Sequence, residues 1–453
     1  MRSINPFNGE VVAEYPEHTD HEVDARLEAA HNAFRNWRRA SFSERAEAMA
    51  RAGEILEKRK DDLARLMALE MGKPVAGGRA EAEKCAWACR YYADEAEAML
   101  ADQPVKTQRS KSYIHHEPLG VVLAVMPWNF PFWQVFRFLA PALMAGNAGV
   151  LKHASNVSGC ALQIEEILDE AGFPAGLFST LLIGSDKVER VLEDGRVVAA
   201  TLTGSEPAGR AVAQKAGSLL KKTVLELGGS DPYLILADAD VEKAAVVCAK
   251  SRTINNGQSC IAAKRFIVVG EVAGPFTEAF TNEMATYRMG DPLDEETRLG
   301  PLARHDLRDD LHDQVRRSTD AGADLLLGGG IPSGKGAFYP ASVLGGVKKG
   351  MAAYSEELFG PVAALIEVGS EDEAVTVAND TSFGLGAAIF SANVDRAEEL
   401  AATRLDAGCC FVNSLVASDP RLPFGGVKAS GYGRELSMLG IKEFVNQKTV
   451  VVA

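Results

Sequence analysis

The chain is short of positive charge. Across 453 residues, 48 lysines and arginines stand against 62 aspartates and glutamates, a formal net charge of −14. That balance argues against nucleic acid or an anionic membrane as a main partner, because both require a basic footprint. Cysteine is sparse as well: seven residues, at 85, 89, 160, 248, 260, 409 and 410, an odd count at irregular spacing that describes no disulfide framework. Cys85 and Cys89 lie one helical turn apart, yet no matching Cys or His cluster stands nearby, so they read as a core-facing stripe and no metal site is expected. The N-terminus lacks the basic, apolar and small-residue segments of a secretory signal, and a cytoplasmic location is the expectation. One apolar stretch, 120–146, is broken by Pro127, Asn129, Pro131, Gln134 and Arg137, which is poor chemistry for a bilayer span. The chain has no internal repeat. The G-x-G-x-x-G fingerprint of dinucleotide folds is missing from its usual place. Residues 329–335 only mimic a P-loop, because Gly336 stands where the magnesium-binding hydroxyl belongs.

What is present is alternation. A chain of this length predicts two or more subdomains. The first hundred residues read as helices. Thr19 to Glu22 and Ser41 to Glu44 have capping-box spacing, Gly72 and Pro74 form a stop, and a further helical run covers about 80–100. Residues 105–117 have the pattern of an exposed hairpin. From Gly120 onward, short apolar strands (121–126, 149–152, 178–183, 198–203, 223–227) alternate with helices (132–145, 157–171, 187–193, 207–217). Such alternation means βαβ units and a parallel sheet covered on both faces. A second α/β series, with strands near 233–236, 266–269, 362–367 and 387–390, begins after the Gly228-Gly229 pair. The Thr449–Val452 end reads as a strand in need of an edge, supplied either by another subunit or by the chain's own sheet.

Four places carry chemistry, and each has an ordinary alternative. Gly204-Ser205-Glu206-Pro207-Ala208-Gly209 follows a strand and opens a helix, the context that seats a pyrophosphate, or a plain βα turn. Cys260, in Asn256-Gly257-Gln258-Ser259-Cys260, is either a nucleophile on a polar loop or a small core residue. Glu226 closes an apolar strand beside two glycines, as a general base raised by burial would, or as a strand-end surface acid would. Asn129, in Pro127-Trp128-Asn129-Phe130-Pro131, is an oxyanion donor held by a rigid turn, or part of a structural turn.

Together these segments resemble the aldehyde dehydrogenase superfamily. The blocks Pro127-Trp128-Asn129-Phe130-Pro131, Thr203-Gly204-Ser205, Glu226-Leu227-Gly228-Gly229, Gly257-Gln258-Ser259-Cys260, Glu357-Leu358-Phe359-Gly360-Pro361 and Pro423-Phe424-Gly425-Gly426 stand in family order over almost the whole chain. The resemblance implies an α/β fold of two Rossmann-like domains plus a small oligomerisation arm. Residues 1–102 and 119–227 would bind NAD or NADP, 228–433 would be catalytic, and 103–118 with 434–453 would form the arm of a homodimer or homotetramer. It further implies Cys260 as nucleophile, Glu226 as the base that hydrolyses a thioester, and Asn129 with the Cys260 N–H as oxyanion donors. Because acylating relatives that pass the thioester to coenzyme A do not need that base, Glu226 points to hydrolysis.

On the cofactor side the resemblance assigns Lys152 to the adenosine ribose, Gly204 and Ser205 to the pyrophosphate, Glu357 to the nicotinamide ribose, and Trp128 with Phe359 to the nicotinamide end. Glu435 resembles a proton-relay or structural glutamate. Many NAD-preferring members carry a glutamate at the position of Ser155. A serine there removes the repulsion of a 2′-phosphate, so NADP is expected to be at least tolerated. Within the superfamily the chain most resembles succinate-semialdehyde dehydrogenases, including bacterial ones with Lys-His-Ala at the place of Lys152-His153-Ala154. Arg137 falls where those enzymes pair an arginine with the substrate carboxylate. The alternative for Arg137 is an ion pair with a protein acid. Ser418 and Asp419 fall on the expected substrate tunnel, where Asp419 would repel a carboxylate unless turned away.

Overall fold

A computed structural model describes residues 1–453. Local signals in the N-terminal region act as read. Thr19 and Ser41 each accept the N–H three residues on, while Glu22 and Glu44 reach back to the cap N–H, opening helices Asp20–Trp37 and Phe42–Lys58. Gly72, at φ 75°, ends helix Lys60–Met71, and the long helix Val75–Leu100 follows. Ahead of these lies a hairpin that the helical reading of this region missed. Arg2–Ile4 pairs antiparallel with Val11–Glu14, strands too short for alternation to register.

A first sheet runs in the order Gly431–Tyr432, Lys222–Glu226, Val197–Thr203, Val121–Met126, Ala148–His153, Phe178–Thr180. The last five are parallel, joined by crossover helices. Their registers bring the strand ends at Met126, Thr203 and Glu226 to one edge of the sheet, where ligands of open α/β sheets bind. The second sheet has seven strands, six parallel, and includes Asp324–Leu327, Ser342–Gly345 and Cys409–Val412, three four-residue strands not picked out from the sequence. A third sheet is the arm: Val445–Val452 pairs along its whole length with Lys111–Pro118, which also holds Gln103–Pro104.

The domain boundaries shift at the C-terminal end. Gly431-Tyr432, expected with the catalytic segment, pairs antiparallel with Leu225 and Glu226 and so completes the first sheet. Residues 434–444, expected in the arm, belong to the first core instead, because Leu436, Ile441 and Phe444 are buried there. The arm's C-terminal share is the strand alone. Its edge partner is the chain's own hairpin, and its outer edge is unpaired within the chain. No helix is long and apolar enough to cross a membrane.

Candidate active site

The site is built around a strained turn. After helix Val241–Thr253, three consecutive residues, Asn255, Asn256 and Gly257, have φ of 53°, 59° and 75°. Successive left-handed residues are costly, and the surroundings must hold them. Asn256 Nδ2 donates to the Gly72 and Pro301 carbonyls at 3.0 Å each, its Oδ1 accepts the Gly300 N–H at 2.8 Å, and the buried Arg252 donates to the Gly257 carbonyl at 2.6 Å. A Cβ on Gly257 would lie 2.2 Å from the Gly360 carbonyl carbon, so only glycine lets these segments meet. The turn delivers Cys260 against Gly229, where a Cβ would lie 2.7 Å from the Cys260 carbonyl oxygen.

Cys260 lines two cavities. One, of about 750 Å³, is walled by Phe130, Trp133, Phe424, Lys84, Arg137 and Ser418 among others. The other, of about 230 Å³, brings Trp128, Asn129, Gly204, Ser205, Glu357 and Phe359 together around the same sulfur. Asn129 donates from Nδ2 to the Gln258 carbonyl at 3.0 Å, and its own backbone carbonyl accepts from Asn255 Nδ2 at 2.7 Å, which ties the Trp128-Asn129 turn to the Cys260 loop. The Cys260 N–H donates to no protein group. Trp128 and Phe359 face each other edge to face, ring centroids 5.8 Å apart. Ser205 caps the helix Glu206–Ser218 without a side-chain cap bond, leaving that N-terminus turned to the second cavity.

The model of the aldehyde dehydrogenase family matches residues 1–450. The chain belongs to that family. It is 50% identical over the full length of both chains to a probable NADP(+) succinate-semialdehyde dehydrogenase of Synechocystis sp.. It is 49% identical, again end to end, to an NADP(+) succinate-semialdehyde dehydrogenase of Mycobacterium tuberculosis. Among solved structures, the succinic semialdehyde dehydrogenase of Streptococcus pyogenes in complex with NADP+ superposes with a TM-score of 0.97 at 41% identity, covering 100% of this chain and 99% of that one.

In this aldehyde dehydrogenase, burial governs the charges. It pushes the Cys260 thiol up to about 12, with Lys264 and Arg137 pulling the other way. Glu226 is 2% exposed and neither carboxylate oxygen has a hydrogen-bond partner. Burial raises it well above the usual carboxylate range, Arg137 opposing and Glu435 adding to the rise. Glu226 lines neither cavity. It sits instead with a buried pair: Arg137 Nε meets the Glu435 carboxylate, its Nη2 donates to Thr203 Oγ1 at 3.2 Å, and its guanidinium lies 4.8 Å from the Phe424 ring centroid. Arg137 thus stands in the wall of the larger cavity, with part of its charge already met by a protein acid.

Elsewhere, Glu357 Oε1 accepts the Gly229 N–H at 3.0 Å and faces Lys264 Nζ at 3.3 Å. Lys152 is the penultimate residue of its strand, partly buried, and Ser155 is exposed beyond it. His153 is buried between the Met126 and Pro131 carbonyls, and burial lowers it to about 4, so it is a neutral structural residue. Asp419 is turned from the cavity and held by Arg421. Cys409 and Cys410 are free and partly buried.

Two residues went unread in the sequence. Lys264 donates to the Ser259 and Cys260 carbonyls, and Lys84 donates to Ser418 Oγ at 2.8 Å. Lys84 had a readable signal. Ala76, Ala80 and Lys84 fall four apart on one stripe of the Val75–Leu100 helix, two small residues and then a cation, all lining the larger cavity.

Proposed function

We propose that this enzyme oxidises succinate semialdehyde to succinate with NADP through a thioester on Cys260. One observation carries the reading: Cys260 stands where a large cavity with cationic side chains in its wall meets a smaller one lined by Trp128, Gly204, Ser205, Glu357 and Phe359. The Cys260 thiol gives its proton to water, Lys264 and Arg137 favouring the thiolate so formed, and the thiolate attacks the aldehyde carbon, the oxyanion being received by Asn129 Nδ2 and the Cys260 N–H. When bound, the nicotinamide supplies the acceptor for the hydride that leaves that carbon. Glu226 then turns from the Arg137–Glu435 cluster, takes a proton from water, and the hydroxide so formed displaces Cys260 from the thioester. A carboxyl raised by burial suits that step near neutral pH.

The chain's residues fit the dinucleotide. The free helix N-terminus at Ser205, with Gly204, would take the pyrophosphate, and Glu357 would take the nicotinamide ribose between Trp128 and Phe359. Lys152 would take the adenosine ribose. The exposed Ser155, with no carboxylate in its place, leaves room for a 2′-phosphate. The named relatives support the same cofactor. The unpaired outer edge of Val445–Val452 supports assembly as a homodimer or homotetramer.

Arg137 and Ser418 stand on the cavity wall where a substrate carboxylate would lie. A second reading, a neutral aldehyde, is favoured by the ion pair that already engages Arg137. The deciding measurement is kcat/KM for succinate semialdehyde against butanal, with NADP and NAD in turn. A preference for the acid aldehyde of about 10²–10³ is expected from a desolvated charge pair. Equal rates would keep the family and remove this substrate, and no turnover with NADP would remove that cofactor.

A further inference from the structure

Lys84 is the partly buried charge of the larger cavity without an acid partner; Lys250, which also lines it unpaired, is exposed. It projects from the Val75–Leu100 helix, partly buried, with its ammonium 4.5 Å from the Trp133 ring centroid and its only hydrogen bond to Ser418 Oγ. No carboxylate of the protein lies within 4.0 Å of its Nζ. The nearby acids are all engaged. Glu81 is taken up by Lys73 on one oxygen and by the Phe132 and Trp133 N–H groups on the other. Asp419 is held by both arms of Arg421, and Glu435 by Arg137. The other buried lysines of the site, Lys73 and Lys264, have acid partners in Glu81 and Glu357. A cation withdrawn from water without an anion is costly, and a cavity wall is where such a charge is met by a ligand.

We propose that Lys84, with Ser418, is the residue that takes up the substrate carboxylate and sets the preference for an acid aldehyde. Arg137 keeps a share of that carboxylate in this scheme, but its guanidinium is divided with Glu435, Thr203 and the Phe424 ring, and Lys84 supplies the charge not so engaged. The inference rests on the succinate semialdehyde reading above. Ser418 Oγ accepts from Lys84 and so has its own proton free to donate to a carboxylate oxygen, which makes a two-point site on one side of the cavity.

The charge on Lys84 is itself tunable. Burial, with Arg137 adding from the neighbouring helix, lowers its ammonium to about 8, against the pull of Cys85 and Glu81 on its own helix and of Asp419 from the facing loop. Lys84 therefore loses its charge above about pH 8. An acid aldehyde should therefore be selected less well above about pH 8.

The test compares kcat/KM for succinate semialdehyde and butanal, from pH 6.5 to 9.5, in the wild type, Lys84→Met and Lys84→Arg. The wild-type ratio is expected to fall above about pH 8. Lys84→Met is expected to lower the ratio at pH 7 on the order of 10²-fold and to leave it flat with pH, while Lys84→Arg restores most of it. Because methionine removes an unpaired buried charge, its Tm is expected to match or exceed that of the wild type. That difference should be full below about pH 8 and shrink toward the ordinary lysine value, since the folded form holds its proton less tightly than the unfolded one. A wild type without preference for the acid aldehyde overturns the substrate reading. A wild type that has the preference, and keeps it in Lys84→Met with the same pH profile, overturns this inference and returns the carboxylate to Arg137. The wild-type pH profile needs no variant, so it decides even if Lys84→Met does not fold.

Discussion

Asn129 does two things at once. Its amide is 4% exposed and already gives one N–H to the Gln258 carbonyl, while its backbone carbonyl receives Asn255. The second N–H is the one left for a ligand. Asn129→Ala is therefore expected to lower kcat by about 10²–10³ and to cost roughly 1 kcal/mol of stability from the lost tie to Gln258. Steady-state kinetics and a thermal melt check the two separately, and wild-type kcat would remove Asn129 from the oxyanion site. At this scale the sequence was legible where a residue type sat in a rigid, motif-bearing turn. Trp128, Asn129, Gly204, Ser205, Glu357 and Phe359 were each named from the sequence, and all six meet in one cavity. It was less legible where the partner decides the role. Nothing near position 137 in the chain announces that Glu435 will take its Nε, and nothing near 84 announces that every nearby acid will be engaged elsewhere.

The turn from Asn255 to Gly257 leads into Cys260, and its conformation is enforced from outside. Gly360-Pro361 closes over Gly257 so tightly that no side chain fits, and the φ of 75° disfavours one independently. Gly257→Ala combines both penalties, roughly 2–4 kcal/mol. A Tm lower by several degrees and a large loss of activity are expected. A wild-type Tm would mean that the turn relaxes freely. Elements of six or more residues with a clear period, such as Val121–Met126 and Trp133–Met144, were read almost to the residue. The strands Ser342–Gly345, Cys409–Val412 and Gly431–Tyr432 were not, because two to four residues carry too little pattern and exist through their neighbours' hydrogen bonds.

Taken whole, the chain places its two α/β sheets on either side of Cys260 and sends one three-stranded sheet outward. The outer strand of that sheet, Val445–Val452, is largely exposed and has a free edge. Truncation after Phe444 is expected to yield monomers by light scattering, since it removes the strand and spares the Phe444 contacts of the first core. An unchanged mass would remove the arm from the assembly. The two cavities that touch only around Cys260 and Gln134 have a pharmacological consequence. Each ligand has its own doorway, and the thiol is the wall they share. A small dicarboxylate lodged in the larger doorway does not obstruct the nucleotide, so raising the cofactor concentration cannot displace it. A blocker of that kind is defeated only by more aldehyde, and in a cell rich in NADP it keeps its grip.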